Sequence, residues 1–160
     1  MNEIARNVGV APMETILKFD GIGFLKAIMD GTLPKPPIAE LLGFDLVAVE
    51  PGKAIFEALP EHRHYNPIGT VHGGFALTLM DSCMSCAVQT LLKQGEIYTT
   101  LELKVNLVRA ITKDTGKIRA SGRIIHRGRT TGTAEGDLRD GAGNLLAHGT
   151  TTCMIFPPKA

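Results

Sequence analysis

Apolar and polar positions change their spacing several times along the chain, and each change predicts a new element. The segment from Phe75 to Leu92 is almost wholly apolar or small, and its length favours a helix over a strand. A helix without a polar face must be buried on nearly every side. One charge, Asp81, interrupts it. Because an unpaired buried charge is costly, this carboxylate predicts a partner or a task.

Strand patterns lie on both sides of this helix. Two β-rich runs, 44–50 and 53–59, are joined by Pro51-Gly52 and predict a hairpin. After the helix, four apolar residues alternate with Thr100, Glu102, Lys104 and Asn106, as in a half-buried strand; these are Leu101, Leu103, Val105 and Leu107. Three more strand runs follow, the last two joined by a turn at 140–143. The order predicts an α+β fold, an antiparallel sheet with one helix packed on its concave face.

The first 38 residues differ from the rest and form a lead-in. Apolar residues at helical spacing, Ile22, Leu25, Ile28 and Met29, predict a helix that ends at Gly31. Three prolines between 34 and 37 then predict an extended linker, with a helical turn around 39–42. We therefore divide the chain into a lead-in, 1–38, and a main domain, 39–160. The lead-in helix could cap a pocket or the sheet edge.

Composition narrows the possible partners and the compartment. The 160 residues suffice for one domain with a core, and a net charge of +1 gives no basic field for nucleic acid. The N-terminus lacks a signal-peptide pattern, and the apolar run is too interrupted to span a membrane. Three cysteines are an odd number for a disulfide framework, so reduced thiols in the cytoplasm are expected.

A spaced motif precedes and enters the long helix. Asn66, Gly69, His72-Gly73-Gly74 and Asp81 form the pattern N-x-x-G-x-x-H-G-G-x6-D. With the flanking segments from about 33 to 156, it resembles the PaaI-like hotdog-fold acyl-CoA thioesterases. The resemblance implies a helix wrapped by a curved sheet, and hydrolysis of an acyl-CoA to free acid and CoA. It also implies homodimers, commonly paired into tetramers, and no dissociable cofactor.

The motif can be understood chemically. Backbone N–H groups at a helix start are free donors at the positive end of the helix dipole, and glycines there let a carbonyl approach closely. The resemblance makes the Gly73 N–H the oxyanion donor, with Gly74 beside the substrate. Asp81 would activate water as a base or attack as a nucleophile. The alternatives are a tight turn for the glycines and a hydrogen-bonded structural carboxylate for Asp81.

Other candidates surround these residues. The Asn66 amide could position the carbonyl or the water, or could cap the loop; His72 would orient the loop through its ring. Ser85 lies on the same helix face as Asp81, and the resemblance gives it and Thr100 assisting hydroxyl roles, although Thr99 is an alternative by one position. A buried structural Ser and a strand Thr are equally good interpretations.

The basic and metal-ligating residues allow two interpretations as well. Arg109, Arg127 and Arg129 could hold the CoA phosphates or form a solvated strand face. Cys83 and Cys86 form a C-x-x-C pattern in mid-helix, where packing is the better explanation. His62, His64 and His72 lack a matching set of further ligands, so no metal is expected.

Helix geometry predicts that the active site is shared between two chains. Gly73 and Asp81 are eight residues apart, which is roughly 12 Å along a helix axis. One carbonyl cannot easily reach both in the same chain. A two-fold dimer would combine Asn66 and Gly73 of one chain with Asp81 of the other. Two alternatives to hydrolysis stay open, a hotdog hydratase or dehydratase and a non-catalytic acyl-CoA-binding module.

Overall fold

The computed structural model describes residues 7–156. It contains four α-helices and six β-strands in the described part, with two short 3-10 turns, and the order matches the prediction. The helices are α1 (Met13–Ile16), α2 (Gly21–Met29), α3 (Pro37–Leu42) and α4 (Gly73–Gln89). The strands are β1 (Phe44–Glu50), β2 (Lys53–Ala58), β3 (Ile97–Leu107), β4 (Ile118–Arg127), β5 (Thr131–Asp140) and β6 (Leu145–Phe156).

The six strands form one antiparallel sheet in the order β1-β2-β4-β5-β6-β3. Both predicted hairpin turns are confirmed. Gly52 has a φ of 77° between β1 and β2, a conformation that glycine adopts without strain. Between β5 and β6, the Asp140 carboxylate accepts the N–H groups of Ala142 and Asn144. The predicted α+β class is therefore observed.

Helix α4 crosses one face of the sheet and contacts β2 to β6. Leu79, Met80 and Met84 are fully buried there. The approach of helix and sheet is close: a Cβ at Gly122 of β4 would lie 2.1 Å from the Cys83 carbonyl oxygen. A side chain at this strand position would push the helix away, so the glycine fixes the depth at which α4 sits.

The lead-in packs against α4 and β1 through α2. Its predicted helix is confirmed, and Gly31 follows it with a φ of 82°. The predicted extended linker is shorter than expected, because Pro37 opens α3 at a position where proline is favoured. The short helix α1 was not predicted, since four residues are too few for a periodic pattern. Residues 1–6 of the lead-in and 157–160 of the main domain lie outside the described residues.

Strand β3 lies at an edge of the sheet, and its pattern is broken near its start. A bulge between Thr100 and Glu102 changes which residues face α4. Leu103 and Val105 pack on the core as predicted, whereas Leu101 and Leu107 are 53% and 51% exposed. The prediction of one continuous apolar face is thus wrong at Leu101, where the bulge falls. Leu107 keeps to that face, beside Gly73 at the start of α4, although about half of it is exposed.

Candidate active site

The start of α4 presents one free backbone donor. His72 is the N-cap, and its Nδ1 accepts the Gly74 N–H at 2.8 Å. The Gly73 N–H, by contrast, has no acceptor among the described residues. It lies at the positive end of a 17-residue helix. The arrangement gives His72 the loop-orienting role expected of it, and leaves Gly73 rather than Gly74 able to donate to a substrate oxygen.

Asn66 holds the loop before the helix. Its Oδ1 accepts the N–H groups of Ile68 and Thr70 at 3.1 and 3.2 Å, and its Nδ2 donates to the Thr70 hydroxyl at 2.9 Å. These bonds match the loop-capping interpretation of Asn66. One Nδ2 hydrogen is left over, because a side-chain amide carries two.

Side chains from the middle of α4 and the start of β3 are joined by two hydrogen bonds. The Thr100 hydroxyl donates to Asp81 Oδ1 at 3.0 Å. The Tyr98 hydroxyl donates to Ser85 Oγ at 3.2 Å, so the Ser85 hydrogen is free to point elsewhere. Asp81 is half-buried rather than buried as predicted. The carboxylate therefore has a hydroxyl partner and also an accessible edge.

The bulge in β3 explains why Thr100, and not Thr99, reaches the carboxylate. The alternating pattern placed Thr100 on the face opposite Leu103 and Val105. The extra residue at 101 reverses the phase, so Tyr98 and Thr100 face α4 before the bulge, and Leu103 and Val105 after it. Thr99 is exposed.

Three cavities border these groups. The helix-start cavity, about 270 Å³, is lined by Asn66, His72, Gly73 and Arg109. The inner cavity, about 300 Å³, lies between α4, the β1–β2 hairpin and the lead-in. The outer cavity, about 470 Å³, lies between α4, the start of β3 and α1. Asp81, Ser85 and Tyr98 border both the inner and the outer cavity. Within one chain the backbone donor and the carboxylate thus open into different cavities.

Comparison with known proteins identifies the family. A family model described as the thioesterase superfamily matches residues 68–147, half of the chain and the whole of α4. The chain belongs to the thioesterase superfamily. A similar relative is human acyl-coenzyme A thioesterase 13, 31% identical over 108 residues, which are 67% of this chain and 76% of that protein. The 1,4-dihydroxy-2-naphthoyl-CoA hydrolase of Listeria monocytogenes is 27% identical to this chain. The aligned residues are 74% of this chain and 94% of that protein.

Solved structures show the same fold. A Ralstonia eutropha protein described as phenylacetic acid degradation-related superposes with a TM-score of 0.74 at 29% identity, covering 81% of this chain and 98% of that one. The predicted hotdog fold and the PaaI-like resemblance are confirmed. The protein is a thioester hydrolase. The site residues carried over from the resemblance stay predictions.

The three arginines predicted to hold the CoA phosphates have different surroundings. The Arg127 guanidinium pairs with Glu96, a carboxylate whose side chain is 8% exposed. Burial alone would raise the pKa of Glu96, but hydrogen bonds from the Lys93 N–H and Arg127 hold that pKa below its usual value. Arg127 is therefore occupied by a structural partner that sequence spacing could not show. Arg129 and Arg109 are exposed, and their guanidinium groups make no hydrogen bond or ion pair within residues 7–156.

The remaining motifs have structural explanations. Burial raises the pKa of the Cys83 thiol far above its usual range and that of Cys86 to about 12, so both are neutral packing groups. Across residues 7–156, no three His, Cys, Asp or Glu side chains come together as metal ligands could. None of the helices described is both long and apolar enough to cross a membrane.

Proposed function

We propose that this thioesterase hydrolyses acyl-CoA thioesters, with Asp81 as the catalytic carboxylate and the Gly73 N–H as the oxyanion donor. The observation that carries the proposal is the hydrogen bond from Thr100 to Asp81 beside two cavities. The bond occupies one oxygen and leaves the other to face a water or the thioester carbon. The names of the relatives, an acyl-CoA thioesterase and a naphthoyl-CoA hydrolase, support CoA thioesters as the substrate class.

Asp81 and the Gly73 N–H are sufficient for a complete thioester hydrolysis. With Asp81 as base, a water gives its proton to the carboxylate and adds to the thioester carbon. The negative oxygen that forms accepts the Gly73 N–H at the helix start. The carbon–sulfur bond then breaks, and the CoA thiolate takes the proton from Asp81. With Asp81 as nucleophile, the carboxylate displaces the CoA thiolate and forms an anhydride with the acyl group; water then cleaves the anhydride, and the thiolate takes the proton that this leaves on Asp81. Both routes need the same two groups.

The proposal requires two chains in each site, and strand β3 supports this. It is an edge strand with exposed Leu101, Leu107 and the following Val108, which is 52% exposed. An unpaired apolar edge of this kind favours pairing with a second copy. We propose a homodimer in which β3 pairs antiparallel with β3 of the partner, and tetramers as a further step.

The direction of that pairing brings the two halves of the site together. Thr100, near the start of β3, is bonded to Asp81. Leu107, at its end, lies against Gly73, where a Cβ would be 2.8 Å from the leucine Cδ1. Antiparallel pairing about a two-fold axis sets the start of one β3 beside the end of the other. Each Asp81 then approaches the Gly73 of the partner chain, which gives two equivalent sites per dimer.

Thiol release from a panel of acyl-CoAs tests the function. Wild type should release free CoA, and Asp81→Asn should lose at least about a thousandfold in kcat, because the amide neither accepts a proton nor attacks. Asp137→Asn is the matched control, since Asp137 is also half-buried but pairs with Arg139 away from these cavities. Water addition without thiol release would favour a hydratase, and binding without turnover would favour a silent acyl-CoA-binding module. Either result would refute the proposal.

A further inference from the structure

The inner cavity beside Asp81 is closed by the lead-in. One wall is α4 with Asp81, and another is the β1–β2 hairpin with Phe44. The remaining wall comes from α2, through Phe24 and Ile28, and from Ala39 of α3. The segment matched by the thioesterase family model starts at residue 68, so α2 and α3 are outside it.

Helix α2 is held against α4 by hydrogen bonds, close packing and a buried side chain. Asp20 caps its start by accepting the Gly23 N–H at 2.7 Å, and the Gly21 N–H donates to the Leu92 carbonyl at 3.0 Å. A Cβ at Gly21 would lie 1.7 Å from the Gln89 carbonyl oxygen, so the helix rests directly on the end of α4. Leu25, at 2% exposed, anchors its middle.

The cavity suits a neutral apolar group. The cation that borders it, Lys35, is already paired, with its Nζ 3.2 Å from Glu40 and 3.0 Å from Asp45. The volume of the inner cavity, about 300 Å³, is at the small end of the range for ligand pockets, roughly 300–1,000 Å³. Such a cavity holds an acyl group but not the phosphates and nucleotide of CoA.

We infer that α2 sets the upper size limit of the acyl group, with Phe24 and Ile28 as specificity-determining residues. The inference rests on the acyl-CoA hydrolysis proposed above. With the thioester carbonyl at Asp81, the acyl group enters the inner cavity and ends against α2. The substrates are therefore compact, apolar acyl-CoAs, with one aromatic ring or an aliphatic chain of similar bulk. A larger group must displace a helix that is fixed at its start and its middle.

The test compares two isoleucines of the same helix. Ile28 and Ile22 are both half-buried, but only Ile28 borders the inner cavity. With straight-chain and aryl acyl-CoAs of increasing size, Ile28→Ala should raise kcat/KM about tenfold for the first acyl group that wild type rejects. The same change at Ile22 should leave the size profile as in wild type. An unchanged profile in Ile28→Ala, or an equal shift in both variants, would overturn the inference.

A second variant guards against a folding artefact, because Ile28 also packs against the lead-in's own apolar cluster. Ala39→Val adds volume from α3, which forms the same wall, and should shift the limit toward smaller acyl groups. Because Ala39 is buried, the melting temperature of this variant is measured to check that it folds. A size profile that Ala39→Val leaves unchanged would also count against the inference.

Binding separates this inference from the proposed function. Dissociation constants for non-hydrolysable acyl-CoA thioethers, measured by calorimetry, should show the same size limit and the same shifts. If wild type releases no thiol from any acyl-CoA, the proposed function fails, and the thioether series still decides whether α2 limits acyl size. If hydrolysis is normal and neither kinetics nor binding shifts with cavity volume, the α2 inference alone fails.

Discussion

The two halves of the candidate site provide different kinds of chemical group, one from the backbone and one from a side chain. At the start of α4, the proposed reactive group is a backbone N–H, held by a loop in which the side chains of Asn66 and His72 bond to nearby N–H groups. In the middle of α4, the proposed reactive group is a side chain, Asp81, which accepts a hydrogen bond from the Thr100 hydroxyl of strand β3. The first half depends on local chain geometry, and the second on contacts between distant residues.

This difference shows why neither half is sufficient alone. A donor without a carboxylate can bind a carbonyl oxygen but cannot activate water, and a carboxylate without the donor leaves the forming oxyanion unsupported. The halves are fixed to one rigid helix, roughly 12 Å apart along its axis. In the proposed dimer, the second copy brings them together without bending α4.

After the loss of Asp81, the largest expected effect comes from deleting the donor of the first half. Gly73→Pro removes the N–H, and the backbone tolerates it, because proline is favoured at the first helical position and His72 already has φ −60° and ψ 135°. We expect kcat to fall about 10²- to 10³-fold. Gly73→Ala adds a comparable Cβ but keeps the N–H, so it should lose far less. Equal losses in both variants would mean that bulk, and not the N–H, matters.

A smaller effect is expected from the support of Asp81. Thr100→Val keeps the shape but removes the hydroxyl, and the loss of a hydrogen bond to a charged group should reduce kcat about tenfold. Thr100→Ser should restore most of it. Thr99→Val makes the same change at the exposed neighbour and should behave as wild type. A slow Thr99→Val with a normal Thr100→Val would contradict the role given to Thr100.

The same contrast shows what sequence could predict. Local signals identified α2, α4, the glycine hairpins and the helix-start motif, because periodicity and turn chemistry depend on near neighbours. The bulge at Thr100, the Tyr98–Ser85 bond and the Arg127–Glu96 pair were not predicted, since they join residues between 13 and 31 positions apart or depend on one extra residue in a strand. The second half of the site was therefore only partly visible from sequence.

Substitutions of the arginines test which half of the site binds the CoA phosphates. Arg109 borders the helix-start cavity, whereas Arg129 lies in the β4–β5 turn. Alanine at whichever residue binds phosphate should raise KM several-fold at low ionic strength, with kcat nearly unchanged. Arg127→Ala should instead lower the melting temperature, because it leaves the Glu96 carboxylate unpaired. A KM effect from Arg127 alone would reverse this assignment.

The smallest expected effect is on the pH dependence of stability, and it comes from His64, which precedes the helix-start loop. His64 is 7% exposed, stacks on Phe75 at 4.2 Å and accepts the Glu61 N–H through Nδ1. Burial, with the nearby Arg63 charge, lowers its pKa from the ordinary 6.5. The folded state therefore binds this proton less readily than the unfolded state. Its contribution to stability is present above pH 6.5 and is lost as the pH falls toward the lowered value.

Melting temperatures between about pH 7 and 5 check this sign. His64→Asn keeps an acceptor but does not titrate, so its melting temperature should fall less over that interval than that of wild type. His62→Asn changes an exposed histidine of the same loop and should keep the wild-type slope. Parallel slopes for wild type and His64→Asn would show that His64 does not contribute to the pH dependence of stability.

The shared site is tested most directly by mixing the two defects. Gly73→Pro and Asp81→Asn chains, each inactive alone, are co-expressed with different tags, and heterodimers are isolated by sequential affinity steps. If each site takes Gly73 from one chain and Asp81 from the other, a heterodimer has one intact site and one with both defects. It should show about half of wild-type kcat per dimer, or about a quarter in an unseparated random mixture. Verified heterodimers that stay as inactive as the two parent variants would contradict the shared site.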